Sequence, residues 1–131
     1  MMNSTSPSAE TNWRSELECV SESIFGVRFR ISRLSFARRV DLARRVQELA
    51  QRIEFLEAGG SISERISSAV LANEIDRIYV EWALLEVSGL SIDGEPATTG
   101  SLLERGPLTL VQEVIAAIKR DCALTDDERK N

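Results

Sequence analysis

The clearest pattern along the chain is a four-three alternation of apolar positions. Leu42, Val46, Leu49, Ile53 and Leu56 recur at the spacing that returns one helix face to the same neighbour. Ser35 stands where an N-cap side chain receives a free amide, and Gly59-Gly60 provides a stop, so the spacing predicts a long helix running to Ala58. Ser61 and Glu64 follow in capping-box register, and Leu71, Ile75, Ile78, Trp82 and Leu85 carry the same alternation toward Gly89, which predicts a second long helix. A link this short holds consecutive helices antiparallel and adjacent, and the two seams bury one another.

The remaining segments are shorter. Trp13, Leu17, Val20 and Ile24 follow at spacings of four, three and four with Glu16, Glu18 and Glu22 between them, which predicts a short amphipathic helix. Val27, Phe29 and Ile31 alternate with Arg28, Arg30 and Ser32, the period of a half-buried strand with its guanidiniums outward. Leu90 and Ile92, alternating with Ser91 and Asp93 before Gly94, are the partner expected for it in a two-stranded ribbon. Ser101 and Glu104 are in register to cap one short helical turn, and Pro107 opens a last helix with Leu108, Val111, Ile115, Ile118 and Cys122 on its apolar face. Thr125 and Glu128 suggest a frayed final turn. Met1 to Ser8 is polar and without periodicity, a flexible tail. Residues 9–131 are then one domain: mostly α, a helical bundle of four or five helices around an antiparallel helix hairpin, with one short two-stranded ribbon.

Composition narrows the chemistry. Of 131 residues 43% are hydrophobic and 28% charged, as in folded domains. There is no His, and Cys19 and Cys122, about a hundred positions apart and without a second pair, match neither a zinc motif nor a disulfide framework, so no metal or cofactor is expected and both thiols read as packed, free groups in a reducing compartment. Asp93, Glu95 and Glu104 are candidates for acid-base work or for oxygen ligands of a divalent ion, but they lack EF-hand spacing and a partner nucleophile, and read as solvated loop acids. The expectation is a protein that is not an enzyme. No run approaches the ~20 apolar residues of a membrane span, and no apolar segment follows a basic start, so neither membrane insertion nor secretion is expected.

Charge is uneven. Residues 1–24 carry −3, residues 25–52 carry +6 and residues 53–131 carry −8, for a net −5. The basic block holds Arg28, Arg30, Arg33, Arg38, Arg39, Arg44, Arg45 and Arg52, a layout compatible with internal ion pairs, an anionic partner or self-association. Nucleic acid is the disfavoured partner, because a nucleic-acid-binding domain is usually basic overall.

Several strings of residues carry a family resemblance. Arg38-Arg39 with Leu42-Ala43, Glu54-Phe55-Leu56-Glu57-Ala58-Gly59, and Glu74-Ile75-Asp76-Arg77-Ile78-Tyr79-Val80 with Trp82 come first. Gly89-Leu90-Ser91-Ile92-Asp93-Gly94-Glu95-Pro96-Ala97-Thr98, Gly106-Pro107-Leu108 and the terminal Glu128-Arg129-Lys130-Asn131 follow. Over about Val27 to Asn131 the chain resembles tail-module proteins of long-tailed bacteriophages, and among them the tail assembly chaperones. The resemblance implies a protein of the host cytoplasm that binds the tape-measure protein and keeps it soluble and extended while tube subunits polymerise around it. It also implies tail tube subunits as further contacts, and a longer frameshifted form arising near Lys130-Asn131. The alternative is a structural virion component, a connector or tail-completion subunit; a nucleic-acid adaptor using the arginine cluster ranks third.

A helical hairpin with a polar back and an apolar margin suits the first role, because it can cover the apolar stripe of another helix. Phe36, Val40, Phe55 and Tyr79 are the candidate contacts, being large or apolar yet at or beyond the seam edges. Arg38, Arg39, Arg44 and Arg45 are the candidate electrostatic rim.

Overall fold

The computed structural model describes residues 10–130, with side chains as far as residue 122. The tail assigned to residues 1–8 lies outside the described residues. The elements run β1 (Glu16–Val20), β2 (Arg28–Ser32), α1 (Phe36–Gly59), α2 (Ile62–Ala83), β3 (Leu84–Ser88), β4 (Ser91–Ile92), β5 (Glu95–Pro96), α3 (Thr99–Arg105) and α4 (Leu108–Lys130).

The two long helices form as the alternation predicts. The Ser35 side chain accepts the Arg38 amide at 3.2 Å, Gly60 closes α1 in the left-handed conformation, and Ser61 and Glu64 exchange the two bonds of a capping box. Helix α2 stops at Ala83 instead of Gly89, and the chain passes directly into β3. The reason is β2, whose free edge needs a partner: Arg28↔Ser88, Phe29↔Val87 and Arg30↔Glu86 pair, with a register shift before Ile31↔Leu84. Leu85 therefore belongs to a strand and not to the helix seam.

The segment expected as an N-terminal helix is strand β1, and this corrects the ribbon to a three-stranded antiparallel sheet in the order β1-β2-β3. Glu16-Leu17-Glu18-Cys19 also fits a period of two, and pairing decides between the readings. Leu17 and Cys19 sit opposite Ile31 and Phe29, while Glu16, Glu18 and Glu86 flank the arginines of β2. Arg30 lies 3.3 Å from Glu16 and 3.9 Å from Glu86, and Arg28 lies 3.8 Å from Glu18. A helix would remove Glu18 from Arg28 and Glu16 from Arg30, leaving only Glu86 beside the latter. The expected ribbon partner, Leu90 to Ile92, instead turns back on itself: Ser91–Ile92 pairs with Glu95–Pro96 around Asp93 and Gly94, both at positive φ as a two-residue hairpin requires.

The core lies between the sheet, the foot of α2, α3 and α4. Val27, Phe29, Ile31, Val80, Leu84, Leu102, Leu110, Val114 and Ile118 are all buried there. Helix α3 is capped by Thr98 and Ser101 reciprocally, not by Ser101 and Glu104. Helix α4 buries Leu110, Val114, Ala117, Ile118 and Asp121, a face turned from the expected one, and leaves Leu108 exposed. Arg33 reaches Asp121 at 2.9 Å and stacks on Trp13. Glu113 accepts hydrogen bonds from Ser21 Oγ at 2.6 Å, the Glu22 amide at 2.5 Å and Ser23 Oγ at 2.8 Å, holding the β1–β2 turn on α4.

Gly89 has φ +81, and a Cβ there would lie 2.2 Å from the Gly26 carbonyl oxygen, whereas Gly60 at φ +77 faces open space. Gly60→Ala should cost about 1 kcal/mol through backbone strain alone, and Gly89→Ala more than about 2 kcal/mol, both read by urea denaturation. At Glu113, desolvation pushes the pKa up, but the bonds from Ser21, Glu22 and Ser23 outweigh it and hold the carboxyl below its ordinary value. A lowered folded-state pKa means stability that is present above the unfolded value of about 4.3 and lost as pH falls through the folded one. Glu113→Gln should therefore cost about 1 kcal/mol at neutral pH, and the difference from wild type should shrink at pH 3.

Candidate functional site

Beyond their feet, α1 and α2 leave the body as a pair. From position 43 to position 79 the only buried side chain is Ser68; the seam residues Val46, Leu49, Ile53, Leu56, Leu71 and Ile75 are half-buried. One seam between two helices cannot cover all their apolar atoms.

The foot is tied by a polar clamp. The Arg38 guanidinium lies 4.1 Å from the Trp82 ring centroid and donates to the Trp82 carbonyl at 2.7 Å. The Trp82 indole N–H donates to Asp41 at 3.1 Å, and the same oxygen accepts from Arg45 Nε at 3.1 Å. Arg38 and Arg45 are thus engaged within the hairpin.

The eight residues expected at a partner surface fall in three places. Phe36 (81% exposed) and Val40 (41%) stand one turn apart on the outer side of α1. Phe55 (76% exposed) is 19 residues further on, about 28 Å at the helical rise. Tyr79 is half-buried, with Lys119 Nζ 5.9 Å from its ring centroid; burial foremost pushes its hydroxyl pKa up. Tyr79 shares a shallow groove with Arg39, Leu42, Val46 and Cys122. Arg44 is exposed on α1.

A further uncovered apolar stripe consists of residues the seam pattern passed over. Ile62, Ile66 and Val70 are 75%, 61% and 55% exposed and recur every four residues along α2. A groove of about 380 Å3 runs between Ile66 and Val70 on one side and α1 on the other, lined also by Arg52, Leu56 and Leu71. A second groove of about 330 Å3 shares Arg52 and Leu56 and extends past Phe55 to Glu48. The signal was present as a second i, i+4, i+8 stripe; the stronger four-three seam masked it.

The other chemical candidates are dispersed. Asp93 pairs with Arg105, and Glu104, on α3, with Arg77 at 2.9 Å, so these two acids are ion-pair partners and not a carboxylate pair. Among the described residues no group of three or more His, Cys, Asp or Glu is placed to hold a metal ion. Cys19 and Cys122 are free and half-buried, and desolvation is the main cause raising both thiol pKa values. Arg28, Arg30 and Arg33 are paired to acids of the sheet and α4, so the arginine cluster is not one basic surface. Among the described residues no helix is long and apolar enough to cross a membrane. Compared with protein-family models, curated proteins and solved structures, the chain matches none.

The clamp separates structural from exposed arginines. Arg38→Ala should lower stability by about 1 to 2 kcal/mol, through loss of the stacked and hydrogen-bonded guanidinium. Arg44→Ala should stay within about 0.5 kcal/mol of wild type. Thermal melts of the two variants check this.

Proposed function

We propose that the protein is a non-enzymatic assembly factor that covers an amphipathic helical segment of another polypeptide, as a tail assembly chaperone does for the tape-measure protein. The carrying observation is the uncovered stripe Ile62, Ile66 and Val70 beside Leu56, on a hairpin that stands clear of the body. A third helix laid in this groove completes a three-helix layer and buries apolar side chains on both chains. The groove is short and shallow, and a small interface gives weak, reversible binding. That suits a protein that must let go of its client as the tube grows. Arg52 and Glu48 at the groove edge supply charges of both signs to a client's polar flanks.

The sequence resemblance supplies the identity of the client, and the outer face of α2 supplies the chemistry of binding. Tyr79 and Arg38, engaged at the foot, serve the hairpin's position rather than the contact, while Phe55 borders the groove.

Coexpression with a phage tape-measure protein is the test. The wild-type chain should keep that protein soluble and copurify with it, and Ile66→Asp with Val70→Asp should weaken copurification at least tenfold while the far-UV spectrum stays helical. Undiminished copurification by the double variant would remove the groove from the mechanism. Presence at fixed copy number in purified particles would identify a virion component instead.

A further inference from the structure

We infer that the outer face of α1 is an interface between two copies of this chain, packed with their hairpins antiparallel. This goes beyond client binding by the α2 stripe and stands without Ile62, Ile66 and Val70; the two surfaces meet only at the groove margin, around Glu48 and Phe55.

Phe36, Val40, Arg44, Gln47, Gln51 and Phe55 recur at spacings of four, four, three, four and four, so they share one face of α1. All six are exposed, and the two phenylalanines present most of their rings to solvent. Large apolar groups thus stand at the two ends of the face, with polar groups between them. A two-fold axis at the level of residues 47 and 48 sets Phe55 of each copy against Val40 of the other, so that both ends are covered by one symmetric contact. A parallel arrangement would set like against like along the whole length.

Charge selects the same orientation. At or beside this face the first half of α1, residues 36–47, exposes Arg44, and the second half, residues 48–59, exposes Glu48 and Glu54, while Arg38 and Arg45 are taken up by the clamp. Antiparallel packing brings the basic half of one copy beside the acidic half of the other, with Arg44 within reach of Glu48 across the axis. Parallel packing repels at both ends. Two α1 helices of 24 residues, each about 36 Å long, bury on the order of 1,000 Å2 between them, which is the lower range for a specific interface.

Sedimentation of the full chain tests this. The wild-type protein should dimerise reversibly below about 100 µM, and Phe55→Glu should weaken the dimer at least tenfold with its helical spectrum unchanged. Arg44→Glu should weaken it as well, and adding Glu48→Arg to that variant should restore it, because the exchange recreates the pair across the axis. A wild-type chain that stays monomeric to several hundred micromolar, a dimer indifferent to Phe55→Glu, or a charge exchange that fails to rescue would each overturn the proposal. Ile66→Asp should leave the dimer intact, so loss of client binding and loss of self-association are read separately.

Discussion

Everything the hairpin does depends on how its two feet are held, and the holding group is Trp82. Its ring carries the Arg38 guanidinium, its N–H goes to Asp41, and it is the penultimate residue of α2 before the chain becomes β3. Strand β2 leads into α1 through three residues, and α2 leads into β3 with none. Because β2 and β3 are neighbours in the sheet, the hairpin is in effect a long helical loop inserted between two paired strands. The sheet fixes the spacing of the feet, and the clamp fixes their rotation. A cation–aromatic stack closed by hydrogen bonds has a preferred geometry that a purely apolar contact lacks.

The same economy of polar contacts explains why a block of +6 does not make a basic protein surface. Arg28 and Arg30 lie in the central strand, where acids from both neighbouring strands face them. Arg33 is joined to Asp121, which is nearly buried on α4 and also accepts the Leu34 amide. A buried carboxylate without that cation would be strongly disfavoured, so the pair locks α4 to the β2–α1 junction. The arginines assigned to a binding rim thus divide by environment. Arg38 and Arg45 hold the hairpin's foot, whereas Arg44 is exposed on the outer face of α1.

What was legible in the sequence follows from how strongly one physical term dominated each segment. Between Ser35 and Ala83, apolar period, caps and the glycine stop agree, and the helices formed where the pattern put them. Between Trp13 and Ile24 two periods coexist, and local spacing cannot choose; the charges of β2, distant along the chain for β3 and near for β1, choose for it. The end of α2 is not legible locally, because Leu85 fits a helix seam as well as a strand, and the need of β2 for a second partner is a non-local fact. On α4 two overlapping faces are apolar, one through Leu108, Val111 and Ile115 and one through Leu110, Val114 and Ala117, and the body it packs on selects the second. For the site, the alternation correctly marked the seam, yet a seam is by construction what the hairpin hides from a partner. The stripe Ile62, Ile66 and Val70 had to be read as the apolar remainder after the seam was satisfied.

That remainder has an energetic consequence for the hairpin itself. A segment whose apolar groups are only half-buried contributes less stability per residue than the core, so the far half of α1 and α2 is the part expected to open first. Anything that packs on its outer faces, a client helix on α2 or a second copy on α1, binds the closed form and stabilises it by mass action. The two faces then need no conformational signal to influence each other. Whichever is covered first lowers the cost of ordering the helices, and the other binds a hairpin already held in shape.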